Sequence, residues 1–215
     1  MSILVNIKEA VSNGKTKEIG ALVQTALDEG ADPQDIINNY LIEAMKEVGA
    51  RFEAKIIFVP EMMIAARTMQ TGLAVIEPLM AGEESKFQKL GNVVVGTVFG
   101  DLHDIGKNLV VLMLESSGFN VTDIGVNVPV DTFVDKAREL DADVVGISSL
   151  LTTGDSNMEA TVAAFKNSDL KDKAKIICGG AAVTEKHVFD RWGADGYAED
   201  AASAVRVTKQ LLDIS

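Results

Sequence analysis

Residues 92–117 read NVVVGTVFGDLHDIGKNLVVLMLESS. Asn92–Val98 is a short, apolar, β-branched run, as expected of a strand buried on both faces. Ile105–Ser117 is rich in apolar residues over a helical length. Between them lies the polar loop around Gly100-Asp101-Leu102-His103-Asp104. Strand, loop and helix in that order make the first step of an alternating fold. The rest of the chain continues the alternation. Val121–Val126, Asp143–Ser148, Ala174–Cys178 and Ala194–Ala198 read as strands. Val130–Leu140, Ser156–Lys166, Thr184–Arg191 and Ala201–Leu212 read as the helices between and after them. Five strands alternating with five helices predict a mostly parallel sheet covered on both faces. Spacing does not fix strand order, and the flavodoxin-like order 2-1-3-4-5 is the common five-stranded solution.

Upstream of this stretch the period changes. Ile3, Ile7, Ala10 and Val11 form one apolar stripe, and Ile19, Leu22, Val23, Ala26 and Leu27 a second. Ile36, Tyr40, Ala44, Val48 and Phe52 recur every four residues, flanked by Ile37, Leu41 and Met45. Met62, Ala66, Met69, Leu73 and Ile76 alternate spacings of four and three. These are helix periods. Gly14, the turn from Gly30 to Pro33 and the 53–60 connection punctuate them. Four amphipathic helices bury their stripes most economically as a four-helix bundle. The predicted class is therefore α plus α/β: a helical bundle over residues 1–90, then a Rossmann-type α/β domain over 91–215. A polar linker is expected at about 81–91.

Composition narrows the function. The chain has 215 residues, 47% hydrophobic and 24% charged, enough to bury a core in each half. Its formal net charge of −12 makes it a poor partner for a phosphate backbone, so nucleic acid is not expected. The apolar stretches are strand-length, so no membrane partner is expected. No basic, then apolar leader is visible at MSILVNIKEA, so the expected location is cytoplasmic. The single cysteine, Cys178, leaves no internal disulfide and no cysteine-built metal cluster. It reads as a small buried strand residue.

In open α/β sheets ligands sit beyond the carboxyl ends of the strands. Three such ends carry informative residues. After the first strand, Asp101 can set a carboxylate against one ring nitrogen of His103. That fixes the tautomer and leaves the other nitrogen facing out, the usual support for a metal-binding histidine. Gly106 removes a side chain where the next helix begins. After the third strand comes Ser148-Ser-Leu150-Leu-Thr152, and after the fourth Gly179-Gly180. Together these describe a long, narrow slot beside one histidine, without a Gly-x-Gly-x-x-Gly dinucleotide signature. An isolated Asp-x-His is ordinarily a pair of polar side chains facing water, and a Gly-Gly pair can be a tight turn. Phe52 and Val59 continue helix faces and could be core. Met62 and Met63 are mainly gap-fillers, and His187 reads as a solvated residue of a short helix.

Asp101-x-His103-x-x-Gly106, Ser148-x-Leu150 and Gly179-Gly180 occur in the order and spacing of the three-part signature of cobalamin-binding domains, which this chain resembles. Val48-Gly-Ala-Arg-Phe52 and Phe58-Val59-Pro60-Glu61 resemble the helical cap module that precedes such a domain in methionine synthase. The resemblance spans essentially the whole chain and is similar to the stand-alone corrinoid proteins of anaerobic methyltransferase systems. It implies cobalamin or a related corrinoid as cofactor, methylcobalamin when loaded. His103 would replace the cofactor's benzimidazole as lower cobalt ligand. Asp101 would bond the other ring nitrogen, and Ser148 would bond Asp101. Leu102, Asp104, Gly106, Leu150, Thr152, Gly179 and Gly180, with Ala201 before the last helix, would contact the cofactor. Phe52 and Val59 would cover the upper cobalt face. The implied role is a methyl carrier without a catalytic residue of its own. It would serve a substrate-specific methyltransferase and a second one that loads tetrahydrofolate or coenzyme M, with a reductive activase for oxidised cobalt. Two alternatives share the signature: a small subunit of an adenosylcobalamin mutase, and a cobalamin-sensing regulator. The first needs no cap bundle, and the second needs a basic DNA-binding head that residues 1–30 do not supply.

Overall fold

The computed structural model describes residues 2–80 and 90–214. Residues 81–89 of the expected linker lie outside the described residues. The chain forms a helical unit and an α/β unit.

The helical unit is a four-helix bundle. Its helices are α1 (Ile3–Ser12), α2 (Thr16–Asp28), α3 and α4 (Val59–Met80). Helix α3 runs through Pro33–Asp35, Ile36–Ile42 and Glu43–Glu53. Asp32 caps it by accepting from Asp35 N at 2.9 Å, with Pro33 at the first helical position, where its missing N–H is no loss. The stripes supply the core: Ile7, Val11, Ile19, Val23, Leu41, Val48, Met62, Met69 and Ile76 are buried. The expected four-residue spacing of α3 fails in one place. Ile36–Ile42 is a π-helical segment, which brings Ile36 and Leu41, five apart, to the buried side and leaves Tyr40 half-buried. Two polar ties cross the bundle: Thr16 Oγ1 to Thr68 Oγ1 at 2.7 Å, and Arg51 Nη1 to the Ser12 carbonyl at 3.2 Å.

The α/β unit is a five-stranded parallel sheet in the order β2-β1-β3-β4-β5. The strands are β1 (Asn92–Thr97), β2 (Asn120–Asp123), β3 (Val144–Ser148), β4 (Lys175–Gly179) and β5 (Gly196–Ala198). The helices are α5 (Ile105–Ser116), α6 (Val130–Glu139), α7 (Asp155–Lys166) and α8 (Ala201–Leu211). Strand β2 is shorter than its apolar run predicts. Gly125 turns the chain away at φ +91°, its N–H donating to Asp123 Oδ1 at 2.9 Å. The expected helix at 184–191 is instead mostly a π-helical turn, His187–Trp192, closed by Gly193 in the left-handed conformation.

Alternation along the strands divides two layers. Val94, Val145, Ile147, Ile176 and Cys178 pack with Phe133, Met158, Phe165 and Trp192, toward α6, α7 and the π turn. Val93, Val95, Val144 and Ile177 pack with Leu114, Phe119 and Ala204, toward α5 and α8. Gly96 makes room for Phe133, since a Cβ there would lie 2.9 Å from the phenyl ring. Cys178 is buried; desolvation, with a smaller contribution from Asp195, pushes its thiol up to about 12. Strand order reverses between β1 and β3, so the loops after these two strands part there and open a crevice.

Candidate functional site

The loop leaving β1 is held before it reaches the histidine. Gly100 turns with φ +83°, and its N–H donates to Asn127 Oδ1 at 2.8 Å. Asn127, itself at φ +55°, donates its N–H to the Asp101 carbonyl at 2.9 Å. Asparagine tolerates this left-handed backbone better than most side chains. Thr97 Oγ1 donates to the His103 carbonyl at 3.0 Å.

Asp101 is fully buried and accepts from five donors. Its Oδ1 takes the His103 N–H at 3.0 Å and His103 Nδ1 at 2.7 Å. Its Oδ2 takes the Ser149 hydroxyl at 3.0 Å and the N–H groups of Leu150 and Leu151 at 2.7 and 3.3 Å. Burial alone would raise the carboxyl pKa. The His103 backbone and ring, the Leu150 N–H and the Ser149 hydroxyl outweigh it and hold Asp101 well below the usual carboxylate range. An ionised carboxylate only accepts, so Nδ1 of His103 carries the proton. Its Nε2 is then an available lone pair. The imidazole is 51% exposed, and Nε2 has no protein partner among the described residues.

One expected contact is corrected here. The serine that bonds Asp101 is Ser149, not Ser148. Ser148 is the last residue of β3 and pairs with Thr97 and Gly179 in the sheet. Successive side chains on a strand point to opposite faces. Ile147 faces the α6 and α7 layer, so Ser148 faces the other one and Ser149 is free to turn to Asp101. Two glycines build the niche around Ser149. A Cβ on Gly154 would overlap its Oγ, and one on Gly180, at φ +119°, would overlap its carbonyl oxygen. A Cβ on Gly179 would lie 2.7 Å from the Ala198 carbonyl. Gly179 and Gly180 are thus required by packing, whatever else they line. Gly106 differs: a Cβ there meets nothing within 4 Å.

The surroundings of His103 are apolar and open. Leu102 is 71% and Ile105 84% exposed, and Phe99, Leu150 and Leu151 are also exposed. Exposed large apolar residues around one available imidazole mark a surface for a broad, apolar ligand. Asp104 lies in the loop before α5 and accepts from Asn108 Nδ2 at 3.1 Å. Thr152 is exposed, and Ala201 is buried in the first turn of α8, behind the Asp200–Ser203 capping box. In the helical unit Phe52 is half-buried and Val59 is marginally exposed, while Ile56, Phe58 and Met63 are more exposed than either. Met62, by contrast, is core.

Among the described residues no three histidine, cysteine, aspartate or glutamate side chains converge as a metal site. A metal bound at His103 must bring its remaining ligands with it. That donor set, one imidazole amid apolar surface, fits a metal already held in a macrocycle. A doubly covered parallel sheet with one carboxylate-held histidine at its switch point, preceded by a helical bundle, defines a cobalamin-binding protein with a helical cap. The comparisons agree. Residues 91–206 match the B12 binding domain, and residues 3–77 match a second model of the same description. A dimethylamine corrinoid protein of Methanosarcina barkeri is 42% identical over 98% of this chain and 97% of its own length. A trimethylamine corrinoid protein of Methanosarcina acetivorans is 37% identical over 98% and 97%. Among solved structures, the methanol:cobalamin methyltransferase complex of M. barkeri superimposes with a TM-score of 0.87. It is 27% identical, over 99% of this chain and 80% of that one. A cobalamin-binding protein of Desulfitobacterium hafniense gives 0.79 at 32% identity, over 97% and 98%. The chain belongs to the corrinoid proteins of methyltransferase systems, and its cofactor is cobalamin.

Proposed function

We propose that this corrinoid protein holds cobalamin with His103 as lower axial ligand, in place of the cofactor's own benzimidazole, and carries a methyl group between two methyltransferases. The observation that supports this reading is the 2.7 Å contact of His103 Nδ1 with the fully buried Asp101, which leaves Nε2 without a protein partner among the described residues. Cobalamin, when bound, supplies a cobalt centre that takes up and gives up a methyl group. The chain's own residues set the strength of the lower ligand. Ser149, Leu150 and Leu151 fix the charge on Asp101, and Asp101 sets the orientation and basicity of the imidazole. Gly106, Ser148, Leu150, Thr152, Gly179, Gly180 and Ala201 line the place proposed for the nucleotide tail. Leu102 and Asp104 flank the ring. Phe52 and Val59 of the cap are proposed to keep water from the methyl group.

The open position at Gly106 gives a direct test of the tail slot. Gly106→Leu adds a side chain where the fold has none to displace, so unfolding free energy should stay within about 1 kcal/mol of wild type. Cobalamin affinity, measured by equilibrium dialysis, should fall at least about tenfold, or roughly 1.4 kcal/mol. Unchanged affinity would remove Gly106 from the slot.

The donor is proposed to be a methylamine, because relatives named for dimethylamine and trimethylamine are 42% and 37% identical, against 27% for the methanol complex. The acceptor side is a second methyltransferase loading tetrahydrofolate or coenzyme M, with a reductive activase restoring oxidised cobalt. A carrier has no substrate chemistry alone. Reduced holoprotein mixed with mono-, di- and trimethylamine should show no saturable change in its cobalt spectrum. Addition of the cognate methyltransferase should produce one. A saturable reaction without any partner would refute the carrier role.

A further inference from the structure

Strand β5 ends the sheet, so only one of its sides is paired. The ladder shows which backbone groups face the open side. On β4, the Lys175 N–H donates to the Asp143 carbonyl at 2.8 Å, and the Gly179 carbonyl accepts from the Ser149 N–H at 3.1 Å. Both therefore turn toward β3. Direction alternates along a strand, so Cys178 turns toward β5, where it lies opposite Tyr197. In a parallel pair such a residue bonds the neighbours of the one opposite it, here Gly196 and Ala198. The N–H and C=O of Tyr197 are left pointing away from the sheet, and no backbone group elsewhere among the described residues pairs with them.

A groove of about 390 Å3 runs along this edge. Phe189, exposed on the π turn, stands on one side, and Val207 and Leu211 of α8 stand on the other. The strand is pressed onto α8, since a Cβ on Gly196 would lie 2.6 Å from Val207. The π turn is anchored. Its Trp192 is buried, and Arg191 ties it to α7 through Asp155 and Glu159. The expectation of a solvated His187 is corrected here: the ring is half-covered, its centroid 5.7 Å from that of Trp192.

Charge decides what can fill the groove. Asp195, tied to the Ile176 N–H at 2.8 Å, precedes the strand and Glu199 follows it, with Glu185 also in the lining. Arg206, the basic residue of the lining, has a partner of its own. Burial, then the charges of Glu199, Glu185 and Asp200, push the Tyr197 phenol up, so negative potential gathers over the strand. Carboxylates here oppose a second copy of a chain whose net charge is −12 and favour a cationic partner. Protection of the edge from pairing would need the charges alone, not an exposed phenylalanine beside them.

We propose that the open edge of β5 is a docking site for an extended segment of a partner protein, with lysine or arginine flanking a short apolar centre. Its backbone pairs with Tyr197, its apolar centre lies between Phe189 and α8, and its basic flanks meet Asp195 and Glu199. Strand β5 is three strands from β1, roughly 14 Å across the sheet, so docking here and ligation at His103 use separate surfaces.

The test uses full-length protein labelled with 15N-tyrosine, which gives two amide resonances, Tyr40 and Tyr197. Tyr40, in the helical unit, is the internal control. The titrant is acetyl-Lys-Lys-Val-Ile-Val-Lys-Lys-amide. Its comparisons are the same peptide with glutamate for every lysine, the same peptide N-methylated at its three central residues, and lysine amide alone. The proposal predicts a saturable shift and slowed hydrogen exchange at Tyr197, with Tyr40 unmoved. Affinity should fall about tenfold or more between roughly 0.05 and 0.5 M salt. It should fall at least about tenfold with either altered peptide and in Phe189→Ser. An unmoved Tyr197, or equal binding of the glutamate or N-methylated peptide, overturns the proposal. So does a shift reproduced by lysine amide, which assigns the groove to free cations. So does a Tyr197 shift that follows protein concentration without peptide, which assigns it to a second copy. None of these readouts involves cobalt, so failure here leaves the carrier reading untouched, and the reverse.

Discussion

Asp101→Ala is expected to destabilise the protein far more than His103→Ala. Asp101 is fully buried and is the common acceptor for two N–H groups and a hydroxyl on the β3 loop and for the His103 backbone and ring. Removing it leaves those donors facing a small void, and each unsatisfied buried donor costs about 1–3 kcal/mol before the loops relax. A net loss of about 3–5 kcal/mol is expected in urea unfolding of the cofactor-free chain. The half-exposed His103 contributes one hydrogen bond, so its removal should cost about 1 kcal/mol. Under the proposed ligation the ranking inverts for cofactor binding, where loss of His103 should have the larger effect.

The same carboxylate sets a pH dependence. Its folded-state pKa is depressed, so the stabilisation it gives is complete above the unfolded value of about 3.9 and is lost as pH falls through the folded value. The stability difference between wild type and Asp101→Asn should therefore be constant from pH 5 to 7 and shrink below about pH 4. A difference that grew on acidification would contradict an ionised Asp101.

Gly180→Ala should have the second large effect. The backbone there has φ +119°, a region other residues rarely adopt, and a Cβ would overlap the Ser149 carbonyl oxygen. Neither side can yield cheaply, because Ser149 N–H is bound to the Gly179 carbonyl at 3.1 Å and its hydroxyl to Asp101. A loss of about 3 kcal/mol or more is expected, with the His103 ring resonances shifted in histidine-labelled protein. A variant as stable as wild type would show that the Ser149 niche tolerates displacement.

The alternation of strand and helix was plain in the sequence because a parallel sheet covered on both faces leaves continuous apolar runs such as Asn92–Val98. The bundle was plain because its stripes keep helical period. What the sequence left open depends on tertiary neighbours. Ser148 and Ser149 both begin a Ser-x-Leu pair, and only the register of β3 against β1 and β4 decides which hydroxyl reaches Asp101. Local spacing at Ile36–Ile42 fits an α-helix, yet bundle packing selects a π turn. Asn127 carried no motif; its role comes from a left-handed backbone beside Gly100. The partnership of His187 with Trp192 also arises only from folding, since a π turn sets residues five apart on one side. The glycines divide by environment: Gly106 stands in open space, whereas Gly179 and Gly180 are demanded by neighbouring backbone.

The central claim is that His103 is the cobalt ligand. Its most direct test is electron paramagnetic resonance of the holoprotein in its cobalt(II) state, prepared with natural-abundance and with 15N-labelled histidine and unlabelled cofactor. One axial 14N nitrogen splits each cobalt line into three, and one 15N nitrogen splits it into two. Ligation by His103 gives three-line splitting that becomes two-line on histidine labelling, and His103→Ala abolishes the label dependence. Splitting that stays three-line with labelled histidine would mean that the cofactor's own base is still bound, and would contradict the account.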